Sequence, residues 1–162
     1  MADMTEYERL VEIVAKLRGE GGCPWDREQT HESLKRHVIE EACEVVAGIN
    51  RLEKTQNAEN LKEELGDLLF QVLIQAQIAK EEGLFDMEDV CRVISDKMVN
   101  RHPHVFGDAA VPEDIIMTWE EIKKAEKKDG NKAEELKYLA EAFEESKGLI
   151  EKAKERKGLC EK

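Results

Sequence analysis

Apolar residues recur along most of the chain at intervals of three and four, the spacing that places side chains on one face of an α-helix. Leu10, Val11, Ile13, Val14 and Leu17 form the first such stripe, opened by the capping-box pair Thr5 and Glu8 and closed by Gly19, Gly21 and Gly22. The segment Gly21-Gly22-Cys23-Pro24-Trp25-Asp26 is expected to be an irregular loop, because glycines favour non-helical backbone and proline lacks the N–H that would continue a helical ladder. Leu34, Val38, Ala42, Val45 and Ile49 predict a second helix from about Thr30 to Arg51. After a polar turn near Asn57, Leu61, Leu65, Leu68, Leu69, Val72, Ala76 and Ala79 predict a third. It is apolar on nearly all sides beyond Leu65, so it is expected at the centre of the fold, and Gly83 stops it.

Asp86 and Asp89 are expected to cap a fourth helix, whose apolar contacts are Val90, Ile94 and Met98 and which Pro103 breaks. Beyond the turn His102–Gly107, Pro112 can open a further helix with Ile115, Ile116, Trp119 and Ile122, ending near Gly130. In residues 131–162, Leu136, Leu139, Ala140, Phe143, Ile150 and Ala153 keep helical spacing among dense Glu and Lys, with Gly148 interrupting. That segment either packs as a partner helix or frays. No repeat of solenoid length and no Gly/Ser- or Pro-rich linker divides the chain. The expectation is an all-α protein with one domain over residues 1–130 and a charged helical extension over 131–162.

Composition sharpens this picture. With 162 residues, 38% of them charged and only 5% aromatic, long charge-decorated helices are favoured over a β-sandwich or a disordered chain. A formal net charge of -12 argues against binding to nucleic-acid polymers or anionic membranes, which need clustered Lys and Arg. Free nucleotides accompanied by a metal ion are compatible with it. No apolar run approaches the ~18 residues of a membrane span, and the start MADMTEYERL lacks the basic-then-apolar order of a secretory leader, so a cytoplasmic location is expected. Cys23, Cys43, Cys91 and Cys160 contain no C-x-x-C pair and read as reduced thiols, Cys43 and Cys91 packing beside helices.

Candidate chemistry comes from acids that fall where apolar residues belong. Glu41 lies between Leu34, Val38 and Val45 on the helical wheel, in the stripe that should face the core, with Glu44 one turn on at its edge. On the third helix Glu64 and Asp67 flank Leu61 and Leu68, while Glu63 points to the opposite side. A buried carboxylate must meet a cation, a positive side chain or a proton. Four acids and no imidazole fit a hard, oxygen-preferring ion, Mg²⁺ or Mn²⁺, better than the Glu-x-x-His sets of di-iron bundles. Glu40 faces away on the same wheel and, like Glu53, Glu63, Glu81 and Glu82, is expected in solvent. Lys97 and Arg101 share the stripe of Val90 and Ile94. They either neutralise the acids as ion pairs or grip phosphate oxygens, for which both side chains suit. Trp25 and Trp119 are packing anchors or stacking platforms, and His31 is the histidine of most interest.

Glu40-Glu41-Ala42-Cys43-Glu44 followed by Glu64-Leu65-Gly66-Asp67 resembles the EExxE and ExxD signature of the MazG-like nucleotide pyrophosphohydrolases. The similarity extends over GGCPWDREQTH (21–31), EELGDLLFQ (63–71), SDKMVNRHPHVFGD (95–108) and WEEIKKAE (119–126), and is most like the first domain of tandem MazG proteins. The resemblance implies an all-α helical bundle assembled as a homodimer or larger homo-oligomer, Mg²⁺ as cofactor, and hydrolysis of nucleoside triphosphates to monophosphate and pyrophosphate. It implies Glu41, Glu44, Glu64 and Asp67 as metal ligands, Lys97 and Arg101 as phosphate contacts, and Trp119 near the nucleotide. Trp25, Gln29 and His31 are candidate substrate contacts, and Glu40 or one of the cluster acids would orient the attacking water. A nucleotide- or partner-binding regulatory module with little catalysis is the competing reading.

Overall fold

The computed structural model describes residues 4–114, 119, 121–122 and 132–159. Among them every regular element is a helix: α1 (Glu6–Arg18), α2 (Pro24–Glu28), α3 (His31–Thr55), α4 (Glu59–Glu81), α5 (Met87–Arg101), α6 (Pro103–Phe106) and α7 (Lys132–Arg156). They form two compact units, one made of the residues up to Met87 with those from Ser146 onward, the other of Glu88–Glu145.

In the first unit, α1 starts on the expected capping box: Thr5 N donates to Glu8 Oε2 at 2.7 Å and Glu8 N donates to Thr5 Oγ1 at 3.2 Å. The turn after α1 is tight because Cys23 N donates to Leu17 O at 2.8 Å, and a Cβ on Gly22 would lie 2.2 Å from that same carbonyl oxygen. The expected loop over 21–26 is only half a loop. Pro24 opens the one-turn helix α2, since a missing N–H costs nothing at the first helical position. So short a helix needs outside support, and the guanidinium of Arg18, with its side chain 6% exposed, provides it. Arg18 Nη1 donates to the carbonyls of Asp26 (2.5 Å) and Gln29 (3.0 Å), and Nη2 reaches Glu81 Oε2 on α4 at 2.7 Å.

A reciprocal Thr30/Ser33 cap begins α3, and Gln56 in the left-handed conformation (φ 57°) ends it. The chain then turns straight into α4. Contacts between His31 and Gln75 at one end and Gly48 and Leu61 at the other show that the two helices run antiparallel. The core is Val14 of α1, Leu34 of α3 and Leu73, Ile74 and Ile78 of α4, with Leu10, Val11, Phe70 and Met87 packed against it. Leu65 (49% exposed), Leu69 and Val72 lie on the surface of the chain, so the helix is not enclosed on all sides as its composition suggests.

Gly48 sets the separation of α3 and α4, because a Cβ there would meet Leu61 Cα at 3.0 Å. Gly48→Val should therefore force the helices apart and lower unfolding free energy by about 1–3 kcal/mol, the usual cost of overpacking. Urea denaturation checks this, and unchanged stability would show that the crossing has slack.

In the second unit α5 buries no residue fully: Val90 and Met98 are half-buried, and Ile94, expected as a contact, is exposed. The turn before Gly107 contains the one-turn α6, opened by Pro103. Of the helix expected from Pro112 to Gly130, Trp119, Glu121 and Ile122 are helical, and Ile115 and Ile116 lie outside the described residues. Gly148 does not interrupt the tail, which is continuous helix from Lys132 to Arg156. Cys23, Cys43 and Cys91 form no disulfide, and Cys43 is exposed instead of packed; Cys160 lies outside the described residues.

Candidate metal centre

The antiparallel α3–α4 pair fixes where its acids fall. Glu41 stands two turns before Gly48 on α3, while Glu64 and Asp67 stand one and two turns beyond Leu61 on α4. One carboxylate oxygen from each of Glu41, Glu64 and Asp67 lies within 4.8 Å of the others. Oxygens on opposite sides of a Mg²⁺ ion are about 4.2 Å apart, from Mg–O bonds of about 2.1 Å. Small side-chain rotations therefore bring the three onto one hard cation, and the all-oxygen donor set suits it. Glu41 and Glu64 are half-buried and Asp67 is exposed, which leaves one side open for water or substrate oxygens. Asn60 Nδ2 donates to Glu64 Oε1 at 2.7 Å and orients that carboxylate from one turn away. The only local signal for Asn60 is its i,i+4 spacing to Glu64, which is common to many helical pairs with no such role.

Burial first, then the charges of Glu44, Asp67, Glu40 and Glu64, push the Glu41 carboxyl above its ordinary range. A bound cation would reverse that repulsion. Glu44 is not in the three-acid group, for its Oε1 is held by Lys157 Nζ at 2.6 Å. Glu40 is not a solvated bystander either: its side chain is 15% exposed and pairs with Arg156 Nη2 at 2.8 Å and Lys157 Nζ at 3.5 Å. Burial alone would raise the Glu40 carboxyl, but the hydrogen bond and charge of Arg156 together with Lys157 outweigh it, and the net shift is downward. Glu81, also expected in solvent, is lowered chiefly by its hydrogen bond from Arg18.

The other candidates divide between two places. Gln29 is locked locally, its Nε2 donating to Trp25 O at 2.9 Å and its Oε1 accepting from Ser33 Oγ at 2.8 Å. Trp25, 49% exposed, meets the His37 ring edge-on at 5.9 Å. His31 Nδ1 is hydrogen-bonded to Gln75 Oε1, and its Nε2 lies 3.5 Å from Glu82, so its contacts in the fold are structural. Lys97 and Arg101 are half-buried on α5 in the second unit, where the Arg101 guanidinium sits 5.7 Å from the centre of the Trp119 ring. Gln71, one turn beyond Asp67, is 7% exposed and its Oε1 has no hydrogen-bond partner among the described residues, which no local pattern announced.

An antiparallel helical pair with three converging carboxylates defines an all-α domain with the donor set of a hard-cation centre. Residues 29–106, which contain all of α3, α4, α5 and α6, match the MazG nucleotide pyrophosphohydrolase domain, so this segment of the chain is a MazG domain. It is 50% identical over 121 residues to the nucleoside triphosphate pyrophosphohydrolase/pyrophosphatase MazG of Thermotoga maritima, an alignment covering 75% of this chain and 45% of that protein. To the nucleoside triphosphate pyrophosphohydrolase of Escherichia coli it is 45% identical over 127 residues, 76% of this chain and 47% of that one. An uncharacterised Bacillus subtilis protein, YabN, is 48% identical over 124 residues, 75% of this chain and 24% of its own. The chain thus spans less than half the length of each of these curated relatives. Among the described residues, no helix is long and apolar enough to cross a membrane.

Proposed function

We propose that the protein is a cytoplasmic, Mg²⁺-dependent nucleoside triphosphate pyrophosphohydrolase, with Mn²⁺ able to substitute, that acts broadly on standard or damaged nucleotides. The observation that carries the reading is the convergence of Glu41, Glu64 and Asp67 within 4.8 Å, inside the segment that matches the MazG domain. The Thermotoga maritima and Escherichia coli relatives are nucleoside triphosphate pyrophosphohydrolases by name, which supports the same reaction.

When bound, a hard divalent cation supplies Lewis acidity toward phosphate oxygens and toward water. Glu41, Glu64 and Asp67 hold it, with Glu44 as a fourth acid beside them, and Asn60 keeps Glu64 in place. Lys97 and Arg101 grip the phosphates and offset the charge that develops as water attacks the α-phosphorus and pyrophosphate leaves. Trp119, already beside Arg101, and the exposed Trp25 contact the nucleoside, with Gln29 and His31 joining them only if they exchange their present partners. Glu40 or one of the cluster acids orients the attacking water, and the ion pairs of Glu40 with Arg156 and Lys157 favour a cluster acid. The uncovered stripe of Leu65, Leu69 and Val72 supports assembly as a homodimer or larger homo-oligomer.

The test is pyrophosphate release from a panel of standard, deoxy and oxidised triphosphates, with Mg²⁺ and with EDTA. Release of pyrophosphate, not single phosphate, in Mg²⁺ alone is the expected result. Nucleotide binding with no release from any member would make the chain a regulatory binding module instead.

A further inference from the structure

The C-terminus of α7 is built, not frayed. Gly158 takes φ 68°, Leu159 N donates to Lys154 O at 2.9 Å and Gly158 N donates to Glu155 O at 3.1 Å, the paired bonds of a glycine-terminated helix end. This ending fixes Arg156 and Lys157 in the last turn, where a cation is also favoured by the helix dipole. Both side chains meet the first half of the acid motif on α3: Arg156 Nη2 lies 2.8 Å from Glu40 Oε2, and Lys157 Nζ lies 2.6 Å from Glu44 Oε1 and 3.5 Å from Glu40 Oε1. Two positive charges are thereby set against two of the five acids that crowd this end of the α3–α4 pair. The residues from Ser146 onward belong to the same compact unit as α3 and α4. They lie outside residues 29–106, so the pairing is a feature added to the matched domain.

The geometry points to the last turn of α7 as an internal counter-cation that holds Glu40 and Glu44 and competes with a divalent metal ion for the acid-lined face of α3 and α4. The inference rests on Glu41, Glu64 and Asp67 being a cation centre. Glu44 can serve that centre as a fourth acid only by giving up Lys157, because its Oε1 is already 2.6 Å from the ammonium. Even without direct use of Glu44, two fixed positive charges beside the cluster reduce the negative potential that attracts the ion. The pairs are suited to displacement rather than to permanent closure. The Arg156 and Lys157 side chains are a little over two-fifths exposed, and ion pairs that wet are individually weak. The hydrogen bond to Glu44, with the charges of Glu44 and Glu40 beside it, raises the Lys157 ammonium above its ordinary range.

The test is Mn²⁺ binding to the whole chain, read by the loss of the free-ion electron paramagnetic resonance signal at low ionic strength. Wild type, Arg156→Gln/Lys157→Gln and Glu41→Gln are compared, with circular dichroism confirming that each is folded. The double variant is expected to bind Mn²⁺ at least about threefold more tightly than wild type, a gain that shrinks as salt screens the pairs. Equal or weaker binding by the double variant would overturn the competition. Glu41→Gln tests the underlying centre separately: if it binds Mn²⁺ as wild type does, the centre itself is wrong. If it loses the ion while wild type and double variant are equal, only the tail's role falls.

Discussion

Glu41→Gln is expected to lower Mg²⁺-dependent pyrophosphate release by at least about 100-fold, since even outer partners of a metal ligand commonly cost 10–100-fold when removed. The same substitution should make the metal-free protein more stable at neutral pH. The Glu41 carboxyl is raised by burial and by four neighbouring acids, so the fold binds its proton more tightly than the unfolded chain does. For such a group the stabilising contribution is present at low pH and declines as pH rises from the ordinary carboxylate range through the raised value. At pH 7 the charge is therefore a liability, and an amide of the same shape removes it. Thermal unfolding in EDTA should give a higher midpoint for Glu41→Gln at pH 7 and a gap that closes below about pH 4. Retained turnover, or a lower midpoint at pH 7, would contradict the assignment. Stability exchanged for function at one position is the pattern expected of a metal ligand.

Arg18→Ala should be the most damaging substitution away from the acids, costing about 3 kcal/mol in urea denaturation. The guanidinium is nearly excluded from water and donates to Asp26 O, Gln29 O and both oxygens of Glu81. Removing it takes the guanidinium from the part-buried Gln29 carbonyl and leaves Asp26 O with only the longer bond from Gln29 N at 3.3 Å, and an under-satisfied acceptor costs more than the net worth of the bond. Arg18→Lys should not rescue, because one ammonium on a flexible stem cannot serve carbonyls and carboxylate together. The loss should spread to α2, whose single turn carries Trp25 and precedes Gln29. The Glu81 part of the clamp is pH-dependent in the opposite sense to Glu41. Its carboxyl is lowered, chiefly by the Arg18 hydrogen bond, so its contribution is present above the ordinary carboxylate range and disappears as pH falls through the lowered value. The gap between wild type and Arg18→Ala should accordingly narrow under acid, while the part due to the carbonyls of Asp26 and Gln29 remains. A difference that is small at neutral pH would show that α2 is held by other contacts.

These two residues also mark what the sequence makes legible. The helices were readable because their signals are local: Thr5 with Glu8 in a capping box, and apolar stripes at the helical period. Pro24 is ambiguous in the sequence, because proline breaks a helix from inside but opens one from its first position, where Pro24 stands. Gly148 misled for a matter of magnitude, since an interior glycine costs only about 1 kcal/mol against a 25-residue helix. Glu41 stood out because a carboxylate in an apolar stripe demands a partner, a statement about one helix alone. What the other acids do depends on residues far along the chain. Glu40 and Glu44 are taken by Arg156 and Lys157, over a hundred positions away, and Arg18 acts on Glu81 across sixty-three. No spacing rule reports such pairs, because they exist only once the helices have packed. The exposure of Leu65, Leu69 and Val72 has the same origin, for a helix apolar on many sides does not say which sides its own chain will cover.

The most direct test of the central claim is an anomalous difference map from crystals of this protein soaked in Mn²⁺. The account predicts a manganese peak between the carboxylates of Glu41, Glu64 and Asp67, lost in Glu41→Gln crystals. A peak elsewhere with these three acids uninvolved, or a peak unchanged by the substitution, would contradict it.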